Sequence, residues 1–282
     1  HQIMKEQHIP LFGLESQEPL THFDFIGITI QYEMCYTNIL QILDLAQIPL
    51  LAKERERDMP FVIGGGPCTY NPEPLADFFD LFYIGEGETS YDALLDLYKE
   101  WKKGDASREA FLHQAAKIPG IYVPSLYEVS YKEDGTLASM EPVYDDIPKK
   151  IEKQVVTELT ASVYPDKPVV PFLKVTQDRV VLEVQRGCIR GCRFCQAGMI
   201  YRPLREKDVE RLKRQADIML KNTGYEEISL SSLSTSDYRE LEDLINYLIE
   251  HHGKEHVNIS LPSLRVDAFS LDVMGKLQDI KK

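Results

Sequence analysis

The sequence predicts an α/β protein built from two series of strand–helix units, with a less regular segment between them. Three observations carry this. Within residues 1–101, from about residue 23 onward, short apolar runs alternate with amphipathic stripes. Residues 179–282 repeat that alternation. Residues 102–178 break it and read as a linker containing a β-hairpin. Strands alternating with helices imply parallel sheets with right-handed crossovers. In such sheets ligands bind beyond the carboxyl ends of the strands.

In the first series, residues 25–30 (FIGITI) form an apolar run of strand length. Asn38 is the expected N-cap of a helix whose stripe is Leu40, Leu43 and Leu45. Residues 61–63 are the next strand and lead into Gly64-Gly65-Gly66-Pro67. A helical stretch is expected at 74–79, then a strand at 81–84 running into Gly85-Glu86-Gly87-Glu88. Tyr91, Leu94, Leu95, Tyr98 and Trp101 recur at helical spacing. Both glycine loops fall at strand ends, where a ligand is expected.

In the middle segment, Asp134-Gly135 separates the Tyr127, Val129, Tyr131 alternation from the run 137–143, a hairpin signal. Pro165, Pro168 and Pro171 mark an irregular connector. The second series opens with the strand 179–185 (RVVLEVQ). A helix follows on Val209, Leu212, Ala216 and Met219, then a strand at 228–230. Tyr238, Leu241, Leu244, Ile245 and Leu248 line the next helix, which stops near Gly253, and 257–261 is a third strand. Ser270 is the expected cap of a last helix carrying Val273, Met274 and Leu277.

The chain has 282 residues, 43% of them hydrophobic, so it can bury the cores of roughly two domains. Its net charge of −13 argues against a protein that coats DNA or lies on an anionic membrane. No apolar run approaches membrane-spanning length. The start, His1-Gln2-Ile3-Met4, has neither a signal-peptide layout nor an initiator methionine. Five cysteines, with three inside residues 188–195, make a poor disulfide framework. A reducing cytoplasm is the expected compartment.

Those three are Cys188, Cys192 and Cys195, in a glycine-rich loop directly after a predicted strand. Thiolates are the usual ligands of iron–sulfur clusters. Three on one short loop can hold three irons of a 4Fe–4S cube and leave the fourth without a protein ligand, which suits an enzyme better than an electron carrier. A structural zinc site needs a fourth ligand. The next histidines, His251, His252 and His256, lie more than 50 residues on. A ferredoxin-like carrier also needs a fourth cysteine. Cys35 and Cys68 have no motif around them and read as ordinary core or loop residues.

The stretch 186–198 (RGCIRGCRFCQAG) resembles the radical S-adenosylmethionine superfamily. With its continuation 199–205 (MIYRPLR) and the two glycine loops, it is similar to the subgroup that places a cobalamin-binding-like domain before the radical domain. The resemblance implies an N-terminal Rossmann-like, cobalamin-binding-like parallel sheet followed by a truncated (β/α) radical-SAM partial barrel. It implies that a 4Fe–4S cluster on Cys188, Cys192 and Cys195 binds S-adenosylmethionine at its open iron. One electron then cleaves the carbon–sulfur bond, giving methionine and a 5′-deoxyadenosyl radical that abstracts hydrogen from a substrate. The family binds the methionine part at the ends of the second and third barrel strands. Here those positions hold Ser231, Ser232 and Ser234, then Ser260, Ser263 and Arg265. Where the family often has Gly-Gly-Glu, this chain has Ser231-Ser232-Leu233, without the acidic partner. Gly64, Gly65 and Gly66, with Gly85, Glu86 and Gly87, would admit the nucleotide tail of cobalamin. The Asp-x-His-x-x-Gly element of base-off binders is absent, since neither His8 nor His22 fits it, and a docking domain without cobalamin stays open.

Between Arg186 and Arg214 nine basic residues stand against three acidic ones. They read as electrostatic mates for an anionic cluster plus a solvated helix face, or as a docking surface for an anionic substrate such as RNA. A reductase, flavodoxin or ferredoxin is the expected electron donor. The rival function is a non-catalytic iron–sulfur protein for electron transfer or sensing. Only three strand–helix units fit between 179 and 282, whereas a full β/α barrel has eight strands. The third strand would then be an open parallel edge. The natural protein is therefore expected to continue past Lys282 and to begin before His1.

Overall fold

The computed structural model describes residues 1–265, 267 and 275. It divides into two units, 1–155 and 156–282. After a short helix α1 (Gln2–Glu6), the first unit is a four-stranded sheet in the order β1 (Phe25–Thr29), β2 (Phe61–Gly65), β3 (Leu81–Tyr83), β4 (Ile121–Tyr122). The first three strands are parallel and β4 runs antiparallel along β3. Side chains alternate across the sheet, so two cores form. Ile26, Val62, Phe82 and Tyr122 pack toward helix α2 (Tyr36–Leu45) with Ile39 and Leu43. Phe61, Ile63, Leu81, Tyr83 and Ile121 pack toward α3 (Tyr91–Lys103) and α4 (Arg108–Ala115) with Leu94, Phe111 and Leu112. Strands buried on both faces explain why the runs at 61–63 and 81–84 are uniformly apolar.

Several local expectations change. Asn38 lies inside α2, because a 3-10 turn at Glu33–Cys35 feeds directly into the helix. The buried positions of α2 are Ile39 and Leu43, with Leu40 only half-buried. At 74–79 there is a 3-10 turn, Glu73–Leu75, and one further turn rather than a regular helix. Pro72 and Pro74 bring no N–H to a helical ladder there, and Phe79 and Asp80 must bury ahead of β3. The segment 102–178, read as a linker with a hairpin, also supplies α4 and β4 to the first sheet and its core. A two-residue strand carries too little periodicity to be seen in sequence. The hairpin itself is strands β5 (Tyr127–Tyr131) and β6 (Leu137–Pro142), paired antiparallel around Asp134-Gly135.

The second unit contains a parallel sheet in the order β7 (Val180–Glu183), β10 (Glu227–Ser231), β11 (Asn258–Ser260). Between β7 and β10 lies a two-stranded antiparallel ribbon of β8 (Gln185–Arg186) and β9 (Arg205–Glu206), with helix α5 (Ala197–Ile200) in the loop that it closes. Helices α6 (Val209–Thr223) and α7 (Leu241–His252) pack on one face of the sheet. Val180, Leu182, Ile228 and Leu230 meet Leu212, Ala216, Met219, Leu244 and Leu248 there. The opposite face carries Val181, Glu183, Ser229, Ser231, Asn258 and Ser260 in register. A parallel sheet with its crossover helices on one side is the arrangement of a β/α barrel wall, whose reactive end is the carboxyl edge. The expected helix on Ser270, Val273, Met274 and Leu277 lies outside the described residues.

Candidate metal centre

The cysteine loop springs from the carboxyl end of β7 and is closed at its base by the β8–β9 ribbon. Gly187 sits at that base with φ +87°, and a Cβ there would lie 2.5 Å from the Pro203 carbonyl oxygen and 2.6 Å from that of Tyr201. Only glycine accepts both the backbone angle and that approach. Beyond it, Cys192 is exposed, and Cys188 and Cys195 are partly so. The Arg190 amide faces Cys188 Sγ at 3.4 Å, and the Cys195 amide donates to the Cys192 carbonyl at 3.0 Å. The loop bounds a concavity of about 380 Å³ lined by Arg190, Cys192, Cys195 and Met199 among others. Phe194 projects from it fully exposed. Among the described residues, no group of three or more His, Cys, Asp or Glu is gathered closely enough for a single metal ion. Three accessible thiols on a glycine-rich loop, with the Arg190 amide directed at the Cys188 sulfur, fit an iron–sulfur cluster by donor type. Cys35 and Cys68 belong to the first unit, where burial pushes the Cys68 thiol pKa up, away from the thiolate that a metal needs.

Sequence reasoning missed the group that organises this loop. Asp237, in a 3-10 turn after β10, has a side chain only 7% exposed. It accepts from Arg190 Nε at 3.0 Å and Nη2 at 2.5 Å, and from Ser234 Oγ at 2.8 Å. Arg265 Nη1 lies 3.4 Å from the same carboxylate. The Arg190 hydrogen bonds above all hold the Asp237 carboxyl well below the usual carboxylate range. The turn is further tied by Gln185 Nε2 donating to the Ser234 carbonyl, and by the Thr235 amide donating to Ser263. The carboxyl edges of β7, β10 and β11 thus meet on one turn.

The predicted S-adenosylmethionine residues divide accordingly. Ser231 is exposed at the end of β10. Ser232 Oγ pairs with Thr235 Oγ1 at 2.9 Å, and Ser234 is buried with its hydroxyl committed to Asp237. Ser260 lies in β11 beside Ser229. Ser263 is exposed with φ +60°. Arg265 faces Asp237 and Asp267 rather than an open carboxylate site. A second ion cluster flanks the loop. Burial raises the Glu183 pKa, but hydrogen bonds from Arg186 and the charge of Arg186 and Lys207 bring it net below the usual value. Burial lowers the Lys207 pKa, and its ammonium lies over the Tyr164 ring. Within the basic stretch, Arg186, Arg190, Arg205, Lys207 and Lys213 are all engaged inside this unit.

In the first unit, most of the predicted cobalamin glycines serve the chain's own packing. A Cβ on Gly64 would strike the Phe82 ring at 2.4 Å, and one on Gly66 would meet Thr29 and Ile30. At Gly85 it would lie 2.3 Å from the Gln154 carbonyl oxygen. Gln154 is stitched to this loop by bonds to the Ile84 carbonyl and the Glu86 amide. The face of Gly85 toward Gln154 is therefore filled by the chain itself. Gly65 opens to space, and Gly87 only touches Tyr91. A larger cavity of about 560 Å³ lies elsewhere in this unit, against Arg55, Asp80 and Arg108, which are already paired with one another.

Comparison with known proteins places this geometry. Residues 1–124 match the family described as radical SAM proteins, N-terminal, and residues 182–281 match the radical SAM superfamily. The chain is 29% identical over 277 residues to the uncharacterized protein MJ0966 of Methanocaldococcus jannaschii, covering 97% of this chain and 52% of that protein. It is 29% identical over 89 residues to the ribosomal protein uS12 methylthiotransferase RimO of Prosthecochloris aestuarii, covering 32% of this chain and 18% of that protein. The chain thus spans about half the length of the first relative and less of the second. Among solved structures, it shares a fold with the radical S-adenosylmethionine methyltransferase TsrM of Kitasatospora setae, with cobalamin and a [4Fe-4S] cluster bound. The TM-score is 0.54 at 15% identity, over 90% of this chain and 48% of that one. The cobalamin-dependent radical enzyme OxsB, with aqua-cobalamin and S-adenosylmethionine bound, gives 0.51 at 18% identity, over 85% and 30%. With the two family matches falling on the two structural units and the second containing the three-cysteine loop, the chain belongs to the radical S-adenosylmethionine superfamily.

Proposed function

We propose that this chain is part of an enzyme that reductively cleaves S-adenosylmethionine and uses the resulting 5′-deoxyadenosyl radical on a substrate. The observation that carries the reading is the three-thiol loop at the carboxyl edge of a parallel sheet, with no fourth cysteine in the same unit. Cys188, Cys192 and Cys195 would hold a 4Fe–4S cluster, which when bound supplies the electron and the open iron for S-adenosylmethionine. The chain's own residues then bind and orient. Ser231 and Ser263 offer exposed hydroxyl groups at the ends of the second and third strands. The turn 234–237 fixes where those strand ends stand relative to the cysteine loop.

Methyl transfer, methylthio transfer and hydrogen abstraction with rearrangement all stay within this reading. The electron donor is a reductase, flavodoxin or ferredoxin. An anionic substrate, RNA included, rests on the exposed Arg193, Arg202 and Arg214. The compartment is the cytoplasm, by cysteine usage; no helix among the described residues is long and apolar enough to cross a membrane. The test is anaerobic reconstitution with iron and sulfide, reduction by dithionite, and assay of methionine and 5′-deoxyadenosine. About four irons per chain and formation of both products are expected. A reducible cluster that yields neither product would favour electron transfer or sensing.

A further inference from the structure

The cysteine loop contains an arginine between its first two thiols, and the position is electrostatically costly for a low-potential cluster. A fixed positive charge beside a cluster stabilises the reduced, more negative state and raises its potential. Arg190 brings such a charge to the loop, two residues from both Cys188 and Cys192, with its neutral backbone amide 3.4 Å from Cys188 Sγ. Its guanidinium does not turn toward solvent alone. It forms a two-pronged bond to Asp237, 47 residues away in sequence, through both Nε and Nη2. This is the fork geometry in which an arginine and a carboxylate hold each other's orientation. The Asp237 carboxylate is 7% exposed, whereas the Arg190 side chain is 41% exposed, so the pair sits at the surface with its acidic partner buried. Arg265 brings a second guanidinium to within 3.4 Å of it, but that charge is matched by its own ion pair with Asp267.

We propose that Asp237 is a positioning residue for the iron–sulfur loop, holding Arg190 in place and cancelling its charge so that the cluster keeps a low reduction potential. This rests on the reading of Cys188, Cys192 and Cys195 as cluster ligands. Two consequences follow from charge alone. Removing the carboxylate leaves Arg190 uncompensated and moves the midpoint potential upward. Removing the guanidinium leaves a net negative group nearby and moves it downward. Removing both restores approximate neutrality.

The experiment is a redox titration, followed by the EPR signal of the reduced cluster, on reconstituted wild-type protein, Asp237→Asn, Arg190→Gln and the double variant, with iron content and circular dichroism measured on each. The expected result is a less negative midpoint for Asp237→Asn, a more negative one for Arg190→Gln, and a return toward wild type in the double variant. A merely structural pair cannot give shifts of opposite sign that cancel. Unchanged midpoints, shifts of the same sign, or loss of iron from both single variants would overturn the proposal. If the wild-type protein itself takes up no iron–sulfur cluster, the ligand reading fails first, and the two failures are thereby distinguished.

Discussion

Single residues set what the cysteine loop can hold. Replacing Cys188, Cys192 or Cys195 by alanine should each abolish the broad absorption near roughly 400 nm that thiolate-ligated iron–sulfur clusters show. Replacing Cys35 or Cys68 should not, since both belong to the other unit; a cluster lost with Cys35→Ala would sink the three-ligand set. Gly187→Ala should unfasten the loop base, because a Cβ would lie 2.5 Å from a backbone carbonyl oxygen at φ +87°. A loss of about 1–3 kcal/mol is expected, together with reduced iron uptake, read by denaturation and iron assay. Asp237 also makes stability depend on pH. Its folded-state pKa is depressed, chiefly by Arg190. Its contribution is therefore fully present above the unfolded carboxylate value of about 4 and lost as pH falls below it. Wild type should exceed Asp237→Asn in stability at pH 7 and converge with it in strong acid, by urea titration at each pH.

At the scale of elements, α6 shows how local chemistry delimits a helix. Asp208 caps it by accepting from the Arg211 amide at 2.9 Å, and Gly224 ends it in the left-handed conformation at φ +69°. Asp208→Ala should cost about 1 kcal/mol, visible as a lower midpoint in thermal unfolding of the second unit. The apolar stripe of α6 is readable in sequence, as are the apolar runs of β1, β2, β3, β7 and β10. The β8–β9 ribbon was not readable, because two residues per strand give no period and its partners stand 20 residues apart. The glycine loops were readable as glycine but not as purpose. A glycine required by the Phe82 ring at Gly64, or by Gln154 at Gly85, looks in sequence the same as one that admits a ligand.

At the scale of the whole molecule, the buried ion cluster of the first unit ties strands to helix. Asp80 accepts from Arg55 at 2.8 Å, from Arg108 at 2.9 Å and from the Val62 amide at 2.7 Å. Both guanidiniums also donate to backbone carbonyls, including Phe78 and Pro60. Losing one member of such a buried network costs on the order of 3–5 kcal/mol. Asp80→Asn should therefore destabilise the first unit by that order. Trp101, the single tryptophan, packs on Phe61 and Phe111 in this unit, so its fluorescence follows the unfolding. A change under about 1 kcal/mol would show that the carbonyls alone satisfy the two arginines.

The sequence by itself determined the α/β class, the main parallel strands with the helices α2, α3, α6 and α7, and the three thiols with their glycine-rich loop. These are short-range properties: spacing along the chain places them regardless of what packs nearby. The tertiary structure decided the rest. It brought Asp237 to Arg190 across 47 residues, committed Ser234 and Arg265 to that carboxylate, and filled the loop at Gly85 with Gln154. It also packed α4 into the core of the first unit and drew β4 into its sheet. Each of these depends on which strand ends lie side by side once the sheets form, and no local pattern encodes that adjacency.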